Sequence, residues 1–501
     1  MAAARFLTVA NDDAIELAPA DAFAYANVFL DPSTDQKIAI RDLLEKFPEA
    51  GTPERAKDAI ARLIDEALRS AGLTFEDDVE PWLGKQIALF MTPPTAPTED
   101  PQGAILVATE DPDATNDTIT QGVANEGLET EERSYEGVEY AYRVEEDAAL
   151  GVVDDFLVAG TERGLRDVVD VSQGARSLAD SDRYDRATSK LADDRLVVFY
   201  LDFKPLFDQF GRIGSIPPPV AASPLFRAIQ EPIAAVVFAR RNGVVLEASA
   251  QAGVPALRDT LDSSEGLLPE LPGESWFAVG ASDVGRSLEG LVESVFSGSP
   301  GVSPGLLEQQ FFAEFGVDLR RDVLSWIGDL GLFVRGISLD ELDGAVVIES
   351  RDPSSSSRAV ARLGSILRRS GAQIRSVRIS GGVAFAVTEP GVPEPVVVAA
   401  RGDRVVVAYG RGAMERALEV NNTLGRAIAY EDAIDALGDD FTPGGIVAVA
   451  PVLELIDNLG AAVDPTYQED VRPFLEPVTF VVFGSKLDGD TFVQRVIIGV
   501  R

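Results

Sequence analysis

Clustered carboxylates, two tryptophans in matching contexts, and tyrosines at strand spacing are the residues of this chain that could do chemistry. The acidic clusters are Glu76-Asp77-Asp78, Glu110-Asp111 with Asp113, Glu129 with Glu131-Glu132, Glu145-Glu146-Asp147, and Asp439-Asp440. Paired carboxylates can act as general acid and base or hold calcium. In a chain with 82 Asp and Glu residues such pairs arise everywhere, and none shows EF-hand spacing, so they read as solvated faces. Asp488-Gly489-Asp490 resembles a calcium loop, but its alignment with Asn242-Gly243 reads it as a turn. Trp82 and Trp326 offer either an aromatic ligand platform or core anchors beside a turn glycine, and the second reading is preferred. Tyr25, Tyr140 and Tyr142 read as sheet packing. Gly84-Lys85 lacks the flanking residues of a phosphate loop, and neither a GxGxxG nor a GxSxG pattern appears. No catalytic, cofactor-binding or metal-ligating residue is assigned, and no cofactor is expected.

Two missing residue types narrow the chemistry further. Without cysteine there is no disulfide, thiol nucleophile or thiolate metal site. Without histidine there is no Ser-His-Asp triad and no imidazole proton shuttle. Carboxylate, lysine, tyrosine and hydroxyl chemistry remain, with oxygen-ligated cations. A net charge of −38 makes nucleic acid and anionic membrane poor partners. Loosely bound cations and plain solubility fit that charge. Basic residues are mostly arginine; the seven lysines are Lys37, Lys46, Lys57, Lys85, Lys190, Lys204 and Lys486. No stretch is long and apolar enough to span a membrane. The apolar start, Met1 to Ala10, reads as a frayed terminus or as the end of a removed anchor.

The elements that must position these residues recur along the chain. Pro19–Phe23 (PADAF) matches Pro272–Trp276 (PGESW), and Asp78-Val79-x-x-Trp82-Leu83-Gly84 matches Asp322-Val323-x-x-Trp326-Ile327-Gly328. GAILVATEDP from Gly103 matches GAVVIESRDP from Gly344. Val197–Asp208 lies opposite Ile446–Asp457, and the stretch from Glu231-Pro232 resembles that from Glu476-Pro477. Five matches in one order predict two homologous units, 1–253 and 254–501, joined near 252–271 and related by an approximate two-fold with a groove between them. Strands are expected at 23–30, 86–91, 103–108, 138–143, 155–160 and 196–201, and at 276–282, 330–335, 344–349, 381–387, 404–409 and 446–450. Helices are expected at 111–126, 161–173, 203–212, 354–370 and 411–420. Another runs over 53–71, capped by Thr52 and closed by Gly72; its shorter counterpart opens at Ser303-Pro304 and closes at Gly316. Each half should end in a hairpin, 233–250 and 478–499, turning at Asn242-Gly243 and Asp488-Gly489 in type I′ geometry. Proline-rich 92–101, 214–224, 297–304 and 389–396 read as loops. The expected fold is α+β: two duplicated halves, each a largely antiparallel sheet with packed helices.

On PADAFAYANVFLDP (19–32), the repeated DVxxW[LI]G and GAILVATEDP, the chain resembles the bacterial family called domain of unknown function 3352. The resemblance implies an envelope protein with an exported body, held to the membrane only through an anchor that this sequence does not show. It implies no activity and no catalytic residues. The functional expectation is therefore a non-catalytic, extracytoplasmic binding or interaction module for a protein or small ligand. A carboxylate-based hydrolase, an apolar-ligand or lipid carrier, and a self-assembling structural protein are the alternatives.

Overall fold

The computed structural model describes residues 10–47, 61–62, 64–66, 68–96, 99–126, 129–212, 224–251, 266–296, 305, 308–309, 312–313 and 316–501. The chain divides into two compact units, Met1–Pro217 with Ile229–Gln251, and Pro218–Ala228 with Ala252–Arg501.

The strands of the first unit are β1 Ala24–Phe29, β2 Leu83–Thr92, β3 Gln102–Thr109, β4 Glu131–Tyr135, β5 Val138–Arg143, β6 Ala148–Val153, β7 Phe156–Thr161, β8 Val197–Leu201, β9 Ile233–Arg240 and β10 Gly243–Gln251. Their pairings with one another are antiparallel, in the order β4-β5-β6-β7-β3-β2-β1-β8-β9-β10. Side chains on a strand alternate between the two faces of its sheet. One face is therefore set by Tyr140, Val158, Leu106, Ala88, Asn27, Val198 and Val236, all buried. The helices are α1 Thr34–Leu44, α2 Pro112–Glu126, α3 Glu162–Ser172, α4 Asp182–Thr188 and α5 Lys204–Arg212. Leu165, Val168 and Val169 form the buried stripe of α3, which packs on β3, β6 and β7. Thr161 starts that helix by accepting from Gly164 N (3.1 Å).

In the second unit the strands are β11 Phe277–Ala281, β12 Ile327–Arg335, β13 Asp343–Ser350, β14 Gln373–Val377, β15 Gly382–Thr388, β16 Val396–Arg401, β17 Arg404–Tyr409, β18 Thr442–Ala448, β19 Val478–Asp488 and β20 Thr491–Val500. They pair in the order β14-β15-β16-β17-β13-β12-β11-β18-β19-β20, antiparallel throughout. Each pairing repeats one in the first unit with both strand numbers raised by ten. The helices are α6 Pro224–Ala228, α7 Val284–Phe296, α8 Pro353–Arg369, α9 Arg411–Leu418, α10 Ile428–Leu437, α11 Val449–Asn458 and α12 Arg472–Leu475. A core of Trp326, Val360, Phe385, Val398, Ala400 and Val405 fixes α8 onto β15 and β16.

The fold is α+β and antiparallel, with four strands per unit between the second and third principal helices where the sequence predicts two. The missed strands have local reasons. β4 (EERSY) is mostly charged or polar, and β6 (AALGVV) is a run of small apolar residues without clean alternation. β14 (QIRSV) and β16 (VVVAAR) fail in the same two ways, and β16 begins at Val396, inside a stretch predicted as loop. The first hairpin also departs from expectation. Its two-residue loop is Arg241-Asn242, and neither residue nor Gly243 has a positive φ, so no type I′ turn forms. In the second, Gly489 alone adopts positive φ (+66°), at the first loop position, which suits a type II′ turn. The helix predicted over 53–71 lies largely outside the described residues; its closing glycine, Gly72, has the expected left-handed φ of +63°. Thr52 and Ser303-Pro304 also lie outside them; Gly316, the counterpart of Gly72, has φ +64°.

Candidate functional site

The motifs that drew attention in the sequence are joints of the framework. Trp82 and Trp326 are buried (4% and 6% exposed). Each indole N–H donates to the carbonyl four residues earlier, Asp78 O (2.6 Å) and Asp322 O (3.0 Å). Those carbonyls belong to single π-helical turns, Phe75–Val79 and Leu319–Val323. The motif aspartates close the turns: Asp78 Oδ2 accepts from Thr74 N (2.8 Å) and Asp322 Oδ2 from Asp318 N (3.1 Å). The motif glycine follows because a Cβ at Gly84 would stand 2.8 Å from the Ala108 carbonyl across the bulged β2–β3 pair. The final Asp-Pro of the other motif begins a helix each time; Asp111 Oδ1 accepts from Ala114 N, and Asp352 Oδ1 from Ser354 N and Ser355 N. Both tryptophans are thus core anchors.

The acidic clusters stay on the surface: Glu76, Asp77, Glu110, Asp111, Asp113, Glu129, Glu131, Glu132, Glu145, Glu146, Asp147, Asp439 and Asp440 are exposed, and Asp78 is half-buried. Among the described residues, no group of three acidic side chains is placed to hold a metal. Tyr140 and Tyr142 face inward on β5. Tyr140 donates to Glu162 Oε1 (2.7 Å), which also accepts from Arg133 (2.9 Å) and Arg166 (2.7 Å). Burial pushes the Glu162 carboxyl up, but these donors outweigh it and hold it below the usual range. The Arg133 guanidinium lies over the Tyr142 ring at 3.7 Å.

Tyr25 belongs to a buried polar knot that the sequence did not reveal. Asp12 Oδ1 accepts from Tyr25 Oη (2.6 Å), Asn27 Nδ2 (2.7 Å) and Ile15 N (3.2 Å), and Asn27 Nδ2 also reaches Gln86 Oε1 (2.8 Å). Burial raises the Asp12 carboxyl above its ordinary pKa, against the pull of these donors. Burial, then the adjacent Asp12, drives Tyr25 well above the usual phenol range. The knot ties residues 12–15 to β1 and β2, with Tyr25, Asn27 and Gln86 buried and Asp12 partly so, which suits anchoring better than catalysis.

Among the described residues, the opposite face of the first sheet is open and apolar. Cross-strand register lines up Val152, Leu157, Val107, Ile87, Val28, Val197, Val237 and Leu246, one from each of eight adjacent strands. The next row is Leu150, Ala159, Ile105, Leu89, Ala26, Phe199, Ala235 and Ala248. At the usual strand spacing, eight strands extend for about 34 Å. Leu89, Ile105 and Phe199 keep 43%, 44% and 45% of their surface in water. Where the rows meet Val123 of α2, the face deepens into a groove of about 490 Å³. Leu89, Ile105, Leu150, Ala141, Ala159 and Val123 form its walls, and Thr130, Arg143, Glu146 and Asp147 its rim. Arg143 pairs with Glu146 (3.5 Å), so the rim carries both signs of charge. This volume falls in the range of sites that enclose small molecules. No single residue type signals the groove in the sequence. Its trace is that β1, β2, β3 and β8 are apolar at both parities, more than a sheet with one solvated face needs.

The model of the family described as protein of unknown function (DUF3352) matches residues 8–440, and the chain belongs to that family. No curated protein matches the chain. Among solved structures, crystal form IV of TP0453 is similar over 49% of this chain and 82% of its own, at 12% identity and a TM-score of 0.26. Crystal form III of the same protein gives 13% identity over 48% and 80%, with a TM-score of 0.25.

Proposed function

We propose that the chain is a non-catalytic binding protein that takes an elongated, uncharged apolar ligand, of the kind formed by an acyl chain with a neutral head, on the open face of its first sheet. The observation that carries this reading is the in-register apolar rows, which end in a walled groove where Leu89 and Ile105 remain half in water. A single exposed leucine needs no explanation, but a contiguous apolar surface marks an interaction site. The mixed charge of the rim and the net charge of −38 favour a neutral head over an anionic one. Titration with fluorescent monoacylglycerols of rising chain length tests the reading: affinity should climb with each methylene, and a flat series would remove it.

In the same reading, the two units, with their boundary drawn at 1–253 and 254–501, descend from one duplicated ancestor. Identical strand order supports this, as do paired backbone contacts. Leu178 N donates to Ala18 O and Leu424 N to Leu271 O, both at 2.7 Å; Asp202 N to Phe23 O and Ala448 N to Trp276 O match likewise at 2.7 Å. Limited proteolysis should cut within 252–271 and leave two stable fragments; scattered cutting would speak against that division. An extracytoplasmic location, implied by the resemblance to envelope proteins, completes the proposal. Fractionation of producing cells tests it, and recovery with cytoplasmic markers would exclude it.

A further inference from the structure

From Pro353 to Thr388 the chain carries six arginines and not one Asp or Glu, within a sequence of 82 acids. The fold gathers this stretch into α8, β14 and β15. Arg358 is bound to the hydroxyls of Ser354 (3.3 Å) and Ser355 (2.9 Å), and Arg362 to Gly316 O and Asp322. The other four, Arg368, Arg369, Arg375 and Arg378, are exposed, and among the described residues none forms an ion pair or a side-chain hydrogen bond. Four uncompensated guanidinium groups on α8 and the β14–β15 hairpin, in a protein with a large surplus of carboxylates, have no internal use.

The backbone beside them is also open. Among the described residues β14 pairs with β15 alone, so one row of its N–H and C=O groups points away from the sheet. Between α8 and the β14–β15 hairpin lies a groove of about 470 Å³, floored by Val360, Val377, Ile379, Val383 and Phe385. Gly364 keeps it open, since a Cβ there would meet the Phe385 ring at 3.0 Å. Arg368 borders the groove from the helix and Arg378 from the hairpin. Charged residues on an edge strand can serve simply to discourage pairing. That accounts for Arg375, but not for the arginines on α8 or for an apolar floor between them.

We propose that the β14 edge and this groove bind an extended, acidic segment of a partner polypeptide. The segment adds a strand beside β14, places an apolar side chain in the groove, and sets carboxylates against Arg368 and Arg378. A polypeptide fits better than a nucleic acid, because a free strand edge offers backbone N–H and C=O groups that match a peptide backbone.

The test is fluorescence anisotropy of a labelled peptide of about ten residues alternating Glu and Val, titrated with the full chain. Saturable binding is expected, weakened at least about tenfold in Arg368→Glu/Arg378→Glu and by alternate backbone N-methylation of the peptide. Both arginines are exposed and, among the described residues, form no ion pair or side-chain hydrogen bond, so the variant should keep its melting temperature and circular dichroism. Undetectable peptide binding, binding unchanged in the double variant, or equal binding of the N-methylated peptide would each overturn the proposal. So would an oligothymidylate or phosphatidylglycerol vesicles binding at this patch where the peptide does not.

Discussion

Replacing Leu89 and Ile105 together by alanine should weaken acyl-chain binding by a little over tenfold. The two residues stand opposite each other across β2 and β3 and expose 43% and 44% of their surface. Full burial of a Leu or Ile side chain contributes about 1.5–3 kcal/mol, so covering what remains exposed contributes about 1 kcal/mol at each. Alanine retains a minor part of that contact, which leaves a loss of about 1.5 kcal/mol for the pair, slightly more than one decade in Kd. The assay is a fluorescence titration with a neutral monoacylglycerol probe, comparing the wild type, Leu89→Ala/Ile105→Ala and the control Val407→Ala, which trims an exposed residue of the second unit. Lengthening the probe should add up to about 0.8 kcal/mol per methylene while the chain still lies on the groove. A double variant within about twofold of the wild type, or an equal loss in the control, would refute the reasoning.

Trp82→Phe should destabilise the first unit by about 1–3 kcal/mol, because it removes the indole bond to the Asp78 carbonyl, which keeps the Thr118 hydroxyl as a donor, and leaves a gap, yet it should not change probe affinity; denaturant unfolding and the same titration separate the two effects. Asp167 on α3 is raised to about 6, chiefly by burial, with Asp21 and Asp170 adding to it against Arg163. A raised carboxyl binds its proton more tightly when folded, so the stability it contributes is present in full below about pH 4 and is lost as pH rises through 6. Asp167→Asn should therefore stabilise the protein at pH 7 by about 1 kcal/mol after allowance for solvent screening, with the difference vanishing near pH 4 in parallel urea melts. Asp12 shifts in the same direction for the same reason, so Asp12→Asn should flatten the fall in stability as pH rises above 4, read by the same melts. Gly364→Ala gains helix propensity of about 1 kcal/mol but presses a methyl group on the Phe385 ring, which its core neighbours hold in place; the net change should be a loss of about 1 kcal/mol in thermal unfolding.

By itself the sequence determined the class of fold and the chemistry it forbids. Its repeated motifs mark strand ends, helix starts and indole anchors, where the local backbone demands a particular residue: glycine at Gly84 for a close approach, aspartate at Asp111 to cap, tryptophan at Trp82 to bond a turn carbonyl. Such needs are local, so they can be read from a few consecutive residues. β4, β6, β14 and β16 were not legible, because their pairing is fixed by the strands beside them and their own residues alternate poorly. Only the tertiary structure decided which apolar residues face water. Leu89 and Phe90 look alike in the sequence; the fold buries Phe90 completely and leaves Leu89 at the wall of a groove. The knot at Asp12 includes a bond between residues 59 positions apart, Asn27 and Gln86, and the unpaired arginines gain meaning only when α8, β14 and β15 come together. Burial and register are properties of neighbours in space, which sequence spacing does not encode.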